Sequence, residues 1–221
     1  SGNVSFSIKI RRPVPMRNYN DKNLKAEVST EIGTKSVPDK FAVSELKISN
    51  GLSCKINSEV DLKTRVYYYE PSAGIVNSGP IPPKVDSLTN YTVHWQILNG
   101  SNDLENIKIN SVLPQGINWS NVYVNKVSGS QIYYNERTKE IVWQIEKIPA
   151  GVGSLLSVYE LIFQISIRPS TNQIGTVPTL VNEAYLEAKD SFTGIFLKDY
   201  TNPVNTGLPD DPRISGGVVR E

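Results

Sequence analysis

Large apolar residues alternate with polar ones in many short stretches of this chain. We place the other stretches relative to residues 91–98. One side of this segment carries Tyr91, Val93, Trp95 and Ile97, and the other carries Thr92, His94 and Gln96. A period of two is typical of a strand with one buried face. Because the aromatic and β-branched residues share that face, we predict a central strand of a β-sandwich with Trp95 in its core.

Residues 159–167 show the most regular alternation in the sequence. Their apolar side consists of Tyr159, Leu161, Phe163, Ile165 and Ile167, and on the other side Ile162 is the one large apolar residue. Burying such side chains contributes about 1.5–3 kcal/mol each before entropy is subtracted. We therefore predict a strand that lies across the core from the segment at 91–98.

Other short strand patterns are separated by Gly, Pro and Asn, and no helical periodicity of any length is present. In the first half the patterns fall at residues 6–10, 24–32, 41–49, 52–56 and 60–69, with Asn50-Gly51 as the strongest hairpin signal. Proline and glycine between residues 70 and 83 indicate a short, semi-rigid connection between domains. This pattern predicts an all-β chain of two tandem Ig-like β-sandwich domains with an extended C-terminal tail. The predicted bounds are residues 1–78, residues 79–200 and, for the tail, residues 201–221.

Charge and cysteine content narrow the class of protein. Lys and Arg number 23 against 22 Asp and Glu, so a net charge of +1 argues against nucleic acid as the main partner. The single Cys54 excludes an intrachain disulfide, and we interpret it as a small buried or half-buried hydrophobe. No apolar run approaches the roughly 20 residues that cross a bilayer. The opening Ser1-Gly2 without Met is typical of a processed or engineered terminus, so the lack of a leader carries no weight.

Five segments in the second half resemble a known family. They are residues 91–95, residues 99–104 (Asn-Gly-Ser-Asn-Asp-Leu), residues 113–119 (Leu-Pro-Gln-Gly-Ile-Asn-Trp), residues 148–151 (Ile-Pro-Ala-Gly) and residues 190–194 (Asp-Ser-Phe-Thr-Gly). Together they make residues 79–200 similar to the DUF11-like repeats, which are Ig-like β-sandwich modules of large bacterial cell-surface and cell-wall proteins. The resemblance implies core and turn roles for these positions, with no catalytic residue among them. It also implies a secreted, envelope-exposed protein in which such domains act as spacers, stalks or adhesive units.

Few residues in the sequence are candidates for catalysis. His94 is the sole histidine, it falls on the polar side of its strand, and no nucleophile motif accompanies it, so we interpret it as a surface or edge imidazole. We predict no catalytic, cofactor-binding or metal site. Oxygen ligands for Ca²⁺ are nevertheless conceivable, although none has EF-hand spacing and solvated turns explain them equally well. These residues are Asp103, Glu105, Asp190, Asp199, Asp210 and Asp211.

Two further features leave alternatives open. Lys84, Asn182 and Glu183 are conceivable participants in an intramolecular Lys-to-Asn amide bond of the kind known in surface sandwiches. The tyrosine runs at residues 67–69 and 133–134 each place at least one phenol on the solvent side, where it can stack on a sugar ring or contact a protein.

We therefore expect a non-enzymatic bacterial cell-surface module that serves as a structural spacer, stalk or adhesion unit. The alternative is a ligand-binding module that recognises carbohydrate or a partner protein through exposed Tyr and loops. The expected partners are other domains of the same surface protein and an envelope, glycan or protein partner, without nucleic acid and without membrane insertion. The expected location is extracellular, at the cell surface or cell wall.

Overall fold

The structure is a computed structural model that describes residues 5–7, 9, 14, 16–35, 45–70 and 72–221. Within these ranges the chain forms thirteen strands and one 3-10 turn, Thr171–Gln173. The strands are β1 Lys25–Thr34, β2 Leu46–Lys55, β3 Val60–Tyr67, β4 Thr89–Asn99, β5 Leu104–Val112, β6 Ile117–Asn125, β7 Ser130–Asn135, β8 Glu140–Ile148, β9 Tyr159–Ile167, β10 Thr179–Val181, β11 Tyr185–Asp190, β12 Phe196–Tyr200 and β13 Val204–Asn205.

Two antiparallel sheets pack face to face. The four-stranded sheet has the order β3-β4-β9-β6, and the five-stranded sheet has the order β12-β11-β5-β8-β7. Two smaller pairs, β1-β2 and β10-β13, complete the described strands. Consecutive strands often lie in different sheets, as in Ig-like sandwiches. The all-β, Ig-like fold class predicted from the sequence is therefore confirmed.

The core between the sheets is built from the inward residues of both. Trp95 on β4, Phe163 on β9 and Trp143 on β8 are fully buried. The rings of Trp95 and Phe163 meet edge to face with centroids 5.1 Å apart, a favourable aromatic geometry. The predicted core position of Trp95 and the central position of its strand, between β3 and β9, are both confirmed.

The strand predicted across the core from β4 instead lies beside it. β9 pairs with β4 from Thr89↔Ile167 to Ile97↔Tyr159, so the two strands form one layer and the five-stranded sheet supplies the other. That prediction was wrong because alternation shows that a strand has a buried face, but it does not show which sheet the strand joins.

The position of β3 differs from the predicted domain boundary. β3 pairs with β4 along its whole length, from Val60↔Asn99 to Tyr67↔Thr92, and Val60, Leu62 and Val66 are buried in the core. The boundary predicted between residues 78 and 79 therefore falls between two strands, β3 and β4, that pair in the same sheet. Pairing places the start of this sandwich at Val60.

The C-terminal residues form the predicted extended segment, which packs onto the sandwich. Val204, Leu208 and Val219 are buried, and β13 pairs with β10. Asp211 is also buried, and its Oδ2 accepts hydrogen bonds from the backbone N–H groups of Tyr68 (3.0 Å) and Tyr69 (2.8 Å). The three prolines of this segment exclude a helix but do not prevent an extended segment from docking.

A carboxylate also protects the free edge of β3. Asp199 Oδ2, on β12, accepts a hydrogen bond of 2.7 Å from the backbone N–H of Leu62. Thr64 Oγ1 and Thr201 Oγ1 lie 2.9 Å apart on the same edge. Unpaired strand edges invite pairing with other chains, so these side chains close the edge that β3 would otherwise expose.

The β1-β2 hairpin precedes the sandwich. Asn50 pairs with Thr30 inside the ladder, so Asn50-Gly51 does not form the turn that its sequence predicted. Ile32, Ile48 and Leu52 share one largely exposed face.

Cys54 lies on the same face and is also exposed, contrary to its predicted burial, because the described residues place no second layer on this face. The predicted strands at 6–10 and 41–49 lie partly outside the described residues, so a first sandwich there stays a prediction.

Candidate functional site

A strap (residues 68–70 and 72–79) crosses the outer face of the four-stranded sheet, which the sequence predicted to be open to solvent. Asn77 anchors it, because its Nδ2 donates hydrogen bonds to the Tyr68 carbonyl (2.9 Å) and to Thr92 Oγ1 (2.9 Å). Asn77 Oδ1 accepts a hydrogen bond of 2.9 Å from Gln164 Nε2. Thr92 on β4 and Gln164 on β9 are buried as a result. The segment that resembled a linker is therefore the cover of a sheet.

Beneath the strap, His94 lies between two carboxylates. Its Nδ1 is 2.9 Å from Glu160 Oε1 on β9, and its Nε2 is 3.3 Å from Glu70 Oε1 in the strap. His94 is 2% exposed, and the edge of the Tyr67 ring contacts it at a centroid distance of 5.0 Å. Gln96 Nε2 donates a second hydrogen bond to Glu160 Oε1, at 2.7 Å. The cluster joins the strap, β4 and β9.

Glu70 is held in its ionised form. Burial raises its pKa, but hydrogen bonds from the backbone N–H groups of Ser72 (2.7 Å) and Ala73 (2.6 Å), from Ser72 Oγ and the charge of His94 outweigh this effect. The pKa of Glu70 therefore lies below its usual value. The Glu70 side chain is only 1% exposed, so its charge depends on these donors.

Glu160 is ionised for a related reason. Its hydrogen bond with His94 lowers its pKa most, burial opposes that effect, and Gln96 and the charges of His94 and Arg65 lower the pKa further. Two carboxylates thus face the two ring nitrogens of His94. Nε2 makes no hydrogen bond within the described part of the chain, although it lies close to Glu70 Oε1.

This geometry does not suit nucleophilic catalysis. A general-base histidine needs one nitrogen directed at a hydroxyl or thiol, and both nitrogens of His94 face carboxylates. A cleft of about 490 Å³ borders Glu160 and the strap residues Ser72 and Ala73, but His94 does not line it. The cluster therefore joins the strap to the sheet through buried polar contacts.

The prediction of a surface or edge imidazole for His94 was wrong, because the strap covers it. A signal was present in the sequence. The outward positions of β4, Thr92, His94 and Gln96, carry no charged Lys, Arg, Asp or Glu, and Ile162 on β9 faces the same side. Uncharged polar groups beside an apolar one indicate a covered polar face more than a solvated one.

A second buried polar network lies at the end of the sandwich where β4 finishes, and we call it the Asp190 pole. Asp190 Oδ2 accepts hydrogen bonds from Ser58 N and Asn102 Nδ2, both 2.7 Å, and Oδ1 accepts them from Phe192 N and Thr193 N. Burial raises the pKa of Asp190, but these four donors outweigh it and hold the pKa below its usual value. Through Ser58, the network ties the segment before β3 to the sandwich.

Three of the five segments that carry the family resemblance meet at this pole: residues 99–104, 148–151 and 190–194. Asn99 Nδ2 donates hydrogen bonds to the carbonyls of Asn102 (2.8 Å) and Pro149 (2.9 Å). Asp103 Oδ1 accepts one of 2.9 Å from the backbone N–H of Ala150. These residues therefore act as turn and anchor positions, and the local chemistry is structural.

The six carboxylates considered for Ca²⁺ do not form one ligand set. Each of them instead contacts a hydrogen-bond donor or a cationic side chain of the protein. Asp103, Asp190, Asp199 and Asp211 accept backbone N–H groups, Glu105 pairs with Lys189 at 2.7 Å, and Asp210 lies 4.0 Å from Arg65. Across the described ranges, no three His, Cys, Asp or Glu side chains are arranged to hold a metal ion.

The three residues considered for an amide cross-link are exposed, and each contacts a different part of the chain. Asn182 Nδ2 donates a hydrogen bond to the Val112 carbonyl (2.9 Å), and Glu183 accepts one from the Tyr185 hydroxyl. Lys84 forms a backbone bridge with Arg220. In the described chain, no hydrogen bond or ion pair joins Lys84 to Asn182.

The two tyrosine runs have different environments. Tyr68 donates a hydrogen bond to the Gly79 carbonyl (2.7 Å), and Tyr69 lies against the Arg213 guanidinium at 4.3 Å. Tyr134 stacks on Trp119 with centroids 5.5 Å apart, whereas Tyr133 points to solvent. Tyr69 and Tyr133 are exposed, which confirms one solvent-facing phenol in each run.

Comparison with known proteins yields likenesses of fold at low identity. No protein-family profile matches the chain, and no curated protein matches its sequence. Among solved structures, the chain is similar to BcpA, the major pilin subunit of Bacillus cereus, with 10% identity and a TM-score of 0.42 over 80% of this chain and 47% of that one. It is also similar to the C-terminal domain of the AgI/II polypeptide BspA of Streptococcus agalactiae, with 11% identity and a TM-score of 0.38 over 80% and 57%.

An enzyme is among the similar structures as well. An exo-β-N-acetylglucosaminidase from Vibrio harveyi matches with 12% identity and a TM-score of 0.35 over 72% of this chain and 19% of that one. The chain thus spans less than half the length of the pilin and less than a fifth of the enzyme. No helix in the described ranges is long and apolar enough to cross a membrane. By its own strand order the chain is an Ig-like β-sandwich module.

Proposed function

We propose that this chain is a non-enzymatic module of a bacterial cell-surface protein, outside the cell, that acts as a structural spacer, stalk or adhesion unit. The observation that carries the proposal is that the segments leading into and out of the sandwich lie at its opposite ends. Such an arrangement lets modules follow one another in line, as a stalk requires.

The incoming segment is fixed at the Asp190 pole. Ser58 Oγ donates a hydrogen bond to Asn99 Oδ1 (2.8 Å), and Val60 opens β3 opposite Asn99, the last residue of β4. Asn23 N also donates a hydrogen bond there, to Asn102 Oδ1 (3.1 Å). The pole therefore holds the incoming chain by several buried contacts.

The outgoing segment is fixed at the other end of β4. Arg220 exchanges backbone hydrogen bonds of 2.9 Å with Pro83 and Val85, and Val85 precedes Thr89, the first residue of β4, by only four positions. β4 has 11 residues, so the two attachment points are separated by about 34 Å along the strand. The sandwich therefore separates whatever precedes it from whatever follows it.

This geometry also favours resistance to tension. A force applied between the two ends runs along β3 and β4, whose hydrogen bonds are perpendicular to the strands. The bonds then share the load and do not open one at a time. The buried His94 cluster and Asn77 hold the strap across the same sheet, which adds further contacts that must break together.

Solution X-ray scattering tests the spacer role. We would measure the chain alone, two copies fused in series, and a control fusion with a long Gly/Ser linker. We expect the direct fusion to exceed the single chain in maximum dimension by at least about 34 Å and to retain a rod-like cross-section. The control should show a broader distribution of distances. Two copies packed side by side in the direct fusion would contradict the proposal.

A further inference from the structure

A row of solvent-facing residues crosses the outer face of the five-stranded sheet. In the order of the strands from β12 to β7, it consists of Tyr200, Tyr185, Asn110, Val142 and Tyr133, each opposite the next in register. The three tyrosines are 64%, 51% and 50% exposed. Tyr200 and Tyr185 lie side by side with ring centroids 6.5 Å apart. No described residue covers this row, unlike the outer face of the other sheet.

Two lysines beside the row are paired with carboxylates, and Lys108 and Glu140 lie on the same face. Lys198 pairs with Glu187 at 3.0 Å, and Lys189 pairs with Glu105 at 2.7 Å. The row itself contains no charged side chain. A polyanion such as nucleic acid would find no basic surplus here. Val142 is the one aliphatic residue within the row, and Val112 is exposed beside it.

At the β7 end the row opens into a hollow of about 540 Å³. It is lined by Tyr133, Tyr134, Asn135, Glu136, Glu140 and Val142. Glu140 Oε1 accepts a hydrogen bond of 3.2 Å from Asn110 Nδ2, which orients its carboxylate towards the row. An aromatic face beside carboxylate and amide groups offers both the stacking surface and the paired hydrogen-bond partners that a sugar ring needs.

We propose that this outer face binds a neutral oligosaccharide that lies across the strands, with one end in the hollow beside Tyr133 and the other on Tyr185 and Tyr200. Tyr133 and Tyr185 are three strand spacings apart, about 14 Å, so the face fits a chain of several sugars and not a monosaccharide. Asn110 and Glu140 bind hydroxyl groups between the aromatic contacts, and Asn135 offers its Nδ2 beside Tyr133. The proposal does not depend on the spacer role, which concerns the ends of the sandwich.

Affinity electrophoresis of the whole chain tests it. Native gels would contain, one at a time, soluble β-glucan, arabinoxylan, galactomannan and dextran, with dextran sulfate as the charged counterpart of dextran. The variants are Tyr133→Ala, the double variant Tyr185→Ala with Tyr200→Ala, and Tyr133→Trp, which keeps an aromatic face. Tyr19→Ala, at an exposed tyrosine in the N-terminal loop, is the matched control.

We expect retardation in at least one neutral gel, with the dissociation constant about tenfold or more higher for the two alanine variants. Tyr133→Trp and Tyr19→Ala should bind within about threefold of the unaltered chain. Thermal unfolding of each variant would show that it is folded. The proposal is overturned by retardation in no neutral gel, by retardation with dextran sulfate alone, or by equal losses in Tyr19→Ala. It is also overturned if sedimentation shows that the same tyrosines instead mediate self-association.

Discussion

The two outer faces of this sandwich have the same kind of sequence pattern and different environments. On the four-stranded sheet, the strap buries Thr92, His94 and Gln164. On the five-stranded sheet, Tyr133 and Tyr185 stay open to solvent. The comparison shows that alternation identifies the core face of a strand, whereas what covers the other face depends on a distant or neighbouring segment.

The covered face has strict requirements, because each polar group removed from water needs a partner. Asn77 and Glu70 supply those partners, and both lie in a segment whose Pro and Gly content predicted a linker. The open face has no such requirement, since water satisfies its side chains. Substitutions should therefore be costly on one face and nearly neutral on the other.

The largest effect is expected for His94→Ala. It leaves the carboxylates of Glu70 and Glu160 without the imidazole between them, and leaving a buried charge without its partner costs about 3 kcal/mol or more. Urea unfolding followed by Trp fluorescence measures this change in the free energy of unfolding. Tyr185→Ala, on a strand of the open face, is the control. A loss below about 0.5 kcal/mol for His94→Ala would contradict the supporting role of the cluster.

Asn77→Ala should have the next largest effect. It removes hydrogen bonds to the Tyr68 carbonyl and Thr92 and leaves Gln164 without its side-chain partner in the strap, at a cost of about 2 kcal/mol. Asn110→Ala is the matched control, because Asn110 lies on the open face.

The same urea experiment compares the two asparagine variants. Asn110→Ala should change the free energy of unfolding by no more than about 0.5 kcal/mol. Equal losses in both variants would show that the strap does not distinguish the two faces.

Acid should weaken the covered face by a smaller amount. The pKa of Glu160 is lowered in the folded chain, so its contribution is present above the ordinary value of 4.5 and is lost as pH falls through the folded value. Glu70 and Asp190 act in the same direction. Glu160→Gln should therefore reduce the fall in melting temperature between pH 6 and pH 3. An unchanged fall would show that Glu160 does not contribute to the pH dependence.

The smallest effect is expected on the open face. Tyr200→Ala removes a largely exposed side chain on an edge strand, so the free energy of unfolding should change by no more than about 0.5 kcal/mol. Thermal unfolding by circular dichroism measures it, with Leu197→Ala as the comparison, since Leu197 packs against the core from the same strand. A loss for Tyr200→Ala as large as that for Leu197→Ala would indicate that the open face is covered.

Features that depend on the local sequence pattern were predicted correctly. Features that depend on pairing with another segment of the chain were not. Trp95 and the strands at 91–98 and 159–167 were predicted correctly because a buried face leaves a period of two. Asn50-Gly51 was misassigned because pairing over ten residues of β1 and β2 outweighs a two-residue turn preference. His94 was misassigned because the strap that buries it begins more than 20 residues earlier, where Pro and Gly obscure any strand pattern.

The contact between Asp211 and Tyr68 joins residues 143 positions apart. Pairings of such high sequence separation raise contact order and slow folding. During synthesis, β3 and the strap leave the ribosome well before the carboxylate of Asp211 that closes them. We therefore expect the four-stranded sheet to stay incomplete until Asp211 has also left the ribosome.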